Sequence, residues 1–121
     1  HHGEACVMSD ARRGGWTWGR LENGVLTDVP AVLPAEQARV SVAECMGKGV
    51  PVFSTETADH LAAREMSGIV PVYPSAEALG AVWLSLAEAR REELLESPAE
   101  PLYVRAPHIT RAKRPAWAVK A

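Results

Sequence analysis

The sequence predicts an α/β fold: a mixed sheet, in which an antiparallel meander precedes parallel strands, with helices packed on it. Three observations lead there. The first third alternates short apolar runs with turn signals, and the remainder alternates helix-period stretches with short strand-like runs. The third is size: 121 residues make one ordinary domain, and 47% hydrophobic residues supply a core without disulfides or metals.

The elements follow in order. Ala5 to Met8 is an apolar run ending at Ser9-Asp10, and Ala11-Arg12-Arg13-Gly14-Gly15 marks a turn. Trp16-Thr17-Trp18 opens a second strand-like run to Leu21, Asn23-Gly24 is a two-residue hairpin signal, and Val25 to Val29 supplies the third run. Pro34 suits the first turn of a helix, where its missing N–H is not needed. Ala35, Ala38, Val42 and Cys45 then share one face, and Gly47 and Gly49 stop the helix. Val50 to Phe53 reads as a buried strand. Ser54 or Thr55 caps a short helix containing Ala58, Leu61 and Ala62, with Gly68 beyond its end. Ile69 to Tyr73 is a further strand, and Pro71 within it calls for a sheet edge or a bulge. Ser75 caps the longest helix, with Leu79, Val82, Trp83, Leu86 and Leu94 on its apolar face, and Ser97-Pro98 ends it. Leu102-Tyr103-Val104 forms a last strand or an extended arm, and periodicity is lost after Pro107.

Charge and cysteine usage narrow the function classes. Thirteen basic and 15 acidic residues give a net charge of -2, which provides no global attraction to nucleic acid. Arg105, Arg111, Lys113, Arg114 and Lys120 gather in the tail, a pattern more often solvated than RNA-bound. No apolar stretch nears the ~20 residues of a membrane span, and the start has no signal-peptide pattern. Cys6 and Cys45 lack zinc-ligand spacing and read as small core hydrophobes in a reducing cytosol. His1-His2 resembles a tag remnant, so residues 1–3 are set apart.

No H-E-x-x-H, G-x-S-x-G or P-loop is present, so no catalytic set, metal or cofactor is expected. The candidate site is Asp10 with Arg12 and Arg13, a carboxylate and two guanidiniums on one turn. Such a group can bind an anion or dock a partner, or Asp10 can simply cap the turn while the arginines stay solvated. His60 and His108 have no evident carboxylate partner, and Glu56, Asp59 and Glu65 read as a wet helix face. Trp16 and Trp18 face one side of a strand, as core or as a stacking platform for a base. Trp83 reads as core, and Trp117 as an anchor for the tail. Tyr103 and Arg105 share a side of the closing arm, where they either pin the terminus or meet another subunit.

Two segments carry a family resemblance. Ser9-Asp10-Ala11-Arg12-Arg13-Gly14 resembles the Asp-Ala-Arg-x-Gly turn that opens the second lobe of the TsaB (YeaZ) family, and Trp16-Thr17-Trp18 resembles the aromatic strand after it. Ala99-Glu100-Pro101-Leu102-Tyr103-Val104-Arg105 resembles the family's closing Pro-x-Tyr-hydrophobic-Arg signature. The order of elements is similar to a single lobe of the actin/Hsp70/sugar-kinase architecture. Residues 1–105 would then be a carboxy-terminal lobe and residues 106–121 a basic extended tail. Gly15-Trp16-Thr17 departs from the family's Glu-Val-Tyr, and Ser54-Thr55-Glu56 from its glycine-rich turn. The family's amino-terminal lobe, with its Asp-Thr-Ser strand, is not among these residues, so the chain reads as one lobe of a two-lobed protein.

The resemblance implies a cytoplasmic, non-catalytic scaffold in tRNA threonylcarbamoyladenosine synthesis. It would bind the catalytic subunit TsaD, work alongside the ATPase TsaE, meet tRNA through the complex, and homodimerise when full-length. The candidate partner contacts are Asp10, Arg12, Arg13, Tyr103 and Arg105. Two other readings stay open: a peptidase- or ATPase-like enzyme whose active residues lie in the other lobe, and a small nucleic-acid module using the tail with Trp16 and Trp18.

Overall fold

The computed structural model describes residues 3–102. Tyr103, Arg105, His108, Trp117 and the basic tail lie outside them, together with every expectation attached to those residues.

Strands β1 (Glu4–Arg12) and β2 (Gly15–Glu22) form a long antiparallel hairpin, with Met8 opposite Trp18 and Asp10 opposite Trp16. The third strand expected over Val25 to Val29 is cut to Val25–Leu26 (β3), which pairs with Leu21 and Glu22, and a strand the sequence did not suggest, Ala31–Pro34 (β4), pairs with Gly15 to Trp18. Pro30 explains the gap, since it has no N–H to give a ladder, and Val29 points into solvent. Strands β5 (Val52–Ser54) and β6 (Val70–Pro71) then add in parallel to the far side of β1, giving the order β3-β2-β1-β5-β6. The sheet is therefore mixed as expected, and β6 occupies the edge that Pro71 required. Its span is shorter than the Ile69–Tyr73 expected from the apolar run.

Helix α1 (Ala35–Gly47) starts directly after β4, with Pro34 at the N-cap rather than inside the first turn. The Ala35 N–H, one of the helix's orphan donors, bonds to the Gly14 carbonyl at 3.0 Å and ties the helix start to the first hairpin. The helix ends in a Schellman motif: Val50 N–H reaches Cys45 O and Gly49 N–H reaches Met46 O, with Gly49 at φ 71. Gly49 thus supplies the stop, and Gly47 is an ordinary helical residue. Helix α2 (Ala58–Ala63) is capped by Thr57, whose Oγ1 accepts from His60 N–H, and not by Ser54 or Thr55. Ser54 is instead a buried strand residue whose Oγ accepts from Glu56 N–H.

One layer of core lies between α1, α2 and a single face of the sheet. Cys6, Met8, Trp16, Ala38, Val42, Val50, Val52, Leu61 and Met66 fill it, with Trp18, Ala35 and Cys45 packed against its edge. Register explains the selection: Cys6 pairs with Val52 and Met8 with Ser54, so alternate residues of β1 and β5 turn inward together. The expectations that α1 buries Ala38 and Val42, and that the Trp16/Trp18 side faces a helix, hold.

The expected single long helix does not form. Ser85 Oγ donates to the Val82 carbonyl at 2.6 Å, and Leu86 and Ala87 adopt extended backbone, so the segment splits into α3 (Ala76–Ser85) and α4 (Glu88–Glu96). Ser75 does cap α3, accepting from Ala78 N–H at 3.0 Å. Neither helix buries a residue; Leu79 and Val82 are 72% and 57% exposed, and Trp83 is only half-buried and outside the core. The period of the apolar stripe marks a face without supplying the surface that covers it. No described helix is long and apolar enough to cross a membrane.

Candidate functional site

The β1–β2 turn is built from residues poorly suited to it. Arg12 pairs with Gly15, which leaves Arg13 and Gly14 as a two-residue loop at φ 51 and 71. Asn23 and Gly24 take nearly the same values, 51 and 81, in the second hairpin. Both are type I′ geometry, for which Asn-Gly is the favoured pair. The first hairpin has arginine where the second has asparagine. Arg12 adds a further left-handed residue, φ 68, at a register shift between Asp10 and Arg12. Left-handed backbone costs a side-chain-bearing residue about 1–2 kcal/mol.

Asp10 stabilises that turn. Its Oδ1 accepts the Arg12 N–H at 2.7 Å, closing an Asx-type turn, while Oδ2 accepts from His60 Nε2 at 2.8 Å. Its own N–H donates to Glu56 Oε1 at 3.0 Å. Beside it, the Ser9 and Thr55 hydroxyls are 2.9 Å apart, and Thr17 Oγ1 accepts from Ser9 N–H. These groups meet because β5 runs parallel to β1 and ends opposite Met8, so the loop after β5 and the start of α2 lie along the last residues of β1. The outer ends of parallel strands are where α/β sheets place ligands. Burial raises the Asp10 pKa, but the Arg12 N–H, the His60 hydrogen bond, and the charges of His60 and Arg64 outweigh it. The carboxyl is held below its ordinary 3.8.

Next to Asp10 lies a cavity of about 150 Å³, lined by Arg12, Arg13, Arg39 and Arg64 with the Trp16 and Ala35 side chains. Arg39 reaches the Arg64 carbonyl with one terminal nitrogen at 3.0 Å, and among the described residues its buried Nε has no hydrogen-bond partner. Four arginines and Asp10 thus line one small recess, a set whose chemistry could pair with an acidic side chain.

The structure thus brings Asp10, Arg12 and Arg13 together and confirms that Asp10 caps the turn. His60 does have a carboxylate partner, contrary to the expectation from sequence, and Glu56 is half-buried on Asp10 rather than part of a wet face. Only Asp59 and Glu65 of that trio are exposed. Partners 50 residues apart leave no local signal. A parallel β1–β5 pairing, had it been inferred, would have placed His60 near Asp10. Among the described residues no group of His, Cys, Asp and Glu is arranged to hold a metal ion.

Set against protein-family models, curated proteins and solved structures, the chain matches none.

Proposed function

We propose that this chain is a carboxy-terminal lobe of the TsaB type: a non-catalytic, cytoplasmic scaffold subunit in tRNA threonylcarbamoyladenosine synthesis. It docks the catalytic subunit TsaD, with TsaE supplying ATP hydrolysis in the same pathway and tRNA contacted through the complex. The observation that carries this reading is the Asp10–Gly14 turn. Two successive arginines there are held in left-handed backbone where Asn and Gly would be cheaper. Strain kept at an exposed turn is a feature of binding surfaces, and the neighbouring Arg39 and Arg64 extend the same basic corner. The resemblance of this turn to the family's Asp-Ala-Arg-x-Gly segment supplies the partner's name.

Size-exclusion chromatography and calorimetry of the chain with its cognate TsaD test the reading. A complex that weakens at least tenfold on Arg13→Glu supports it. No complex, or one indifferent to Arg13→Glu and to Arg12→Glu, rules it out.

A further inference from the structure

Cys6 and Cys45 approach each other across the core boundary, with their Sγ atoms 3.6 Å apart and both free. They come from elements far apart in sequence: Cys6 from the middle of β1, Cys45 from the last turn of α1. Both backbones are tied down locally. The Cys6 N–H donates to Pro51 O at 2.9 Å, and the Cys45 carbonyl accepts from Lys48 and Val50 N–H. The pair is therefore held by the fold, and the sulfurs have about 1.5 Å to close to reach the ~2.05 Å of a disulfide bond.

Access is unequal. Cys6 is 4% exposed, whereas Cys45 is half-buried. Both line a cavity of about 440 Å³ whose wall carries Arg20 and Lys48 beside Glu4, Glu22 and Glu44. That is room for a small ligand, and charges of both signs suit a peptide bearing both ammonium and carboxylate groups.

We propose that Cys6 and Cys45 form a reversible dithiol–disulfide couple, opened to low-molecular-weight peptide disulfides of the glutathione class through the cavity beside Cys45. In the first step the Cys45 thiolate attacks one sulfur of the external disulfide. The Cys45–S bond forms, the external S–S bond breaks, and one peptide thiol leaves. In the second step the Cys6 sulfur attacks Cys45 Sγ, the Cys6–Cys45 bond forms, and the second peptide thiol leaves. The two protein thiols lose two electrons, the external disulfide gains them, and the protons from Cys6 and Cys45 finish on the two released thiols. Burial, followed by the hydrogen bond and charge of Cys45, pushes the Cys6 thiol up to about 12, so Cys6 is the slower nucleophile toward an external disulfide and the first attack falls to the more accessible Cys45. Closing the bond would staple β1 to the carboxy-terminal turn of α1.

The 121-residue chain, equilibrated with reduced and oxidised glutathione over a range of ratios, gives the test. Wild-type protein should lose two hydrogens by intact mass, and peptide mapping should show a Cys6–Cys45 crosslink. Its melting temperature should rise by roughly 10 °C or more. Cys6→Ala should trap one glutathione on Cys45, and Cys45→Ala should take up glutathione at least tenfold more slowly. Intermolecular crosslinks alone, no oxidation at the most oxidising ratio, or glutathione added to Cys6 as fast as to Cys45 would each overturn the proposal. The wild-type crosslink map decides the matter even if a cysteine variant fails to fold.

Discussion

Asp10 joins three segments through its two carboxylate oxygens and its own N–H: the β1–β2 turn, the loop after β5 and helix α2. Its folded pKa lies below the unfolded one, so the stabilisation it confers is complete above about pH 4. That stabilisation is lost as the pH falls through the depressed folded value. Asp10→Asn should therefore cost about 1–2 kcal/mol in urea unfolding at neutral pH. The gap between variant and wild type should shrink as the pH drops below about 4; a constant gap would assign the effect to packing. Arg13 makes the opposite prediction. Arg13→Asn puts the favoured residue at a φ of 51 and should stabilise the chain by about 0.5–1 kcal/mol. The same change should weaken the proposed complex with TsaD. A variant that is more stable and binds equally well would show that the turn is not used. At this scale the sequence showed that Asp10 and the arginines share a turn. It could not show His60 or Glu56 there, because a parallel strand pairing and not a local pattern brings them in.

Helix ends were more legible than helix faces. Gly49 and Ser75 act through their own side chain or its absence, so their roles could be read from residue type and position. Helix α2 shows how that signal fails. It closes in the same Schellman geometry as α1, with Met66 N–H on Leu61 O and Glu65 N–H on Ala62 O, yet Glu65 holds the left-handed position at φ 57. Met66 then packs into the core beside Leu61, which fixes the turn despite the poor residue. Gly68 lies beyond the helix end as expected, but the left-handed position falls on Glu65, three residues before it. Glu65→Gly should raise unfolding stability by about 0.5–1 kcal/mol, since glycine removes the Cβ penalty but brings its own entropic cost. The substitution also removes the long 3.9 Å contact from Arg39, an exposed pair worth little. Thermal melts of the two proteins check it; a loss of stability would mean that the Glu65 side chain contributes more than its contacts indicate.

At the scale of the whole molecule, the core formed by the described residues is one-sided. Sheet residues that turn toward α1 and α2 are buried, while Val7, Phe53 and Val72 on the other face border a shallow apolar recess of about 350 Å³. The stripe on α3 is equally apolar and equally uncovered by the described residues. Periodicity reports only that a face is apolar, and this is why Trp83 reads as core in the sequence although the residue that fills the core is Met8. Burial separates them, and mutation should too. Met8 is 2% exposed between β2, β5 and the helices, so Met8→Ala should cost about 2–5 kcal/mol by removing contacts and leaving a void. Leu79→Ala, at a side chain 72% exposed, should stay within about 0.5 kcal/mol of wild type in urea unfolding of the chain alone. If the uncovered stripe serves the proposed scaffold role, Leu79→Ala should instead weaken TsaD binding while Met8→Ala acts through folding alone. Measuring stability and binding on both variants separates the two kinds of apolar surface. A large stability loss at Leu79 would place α3 in the core after all.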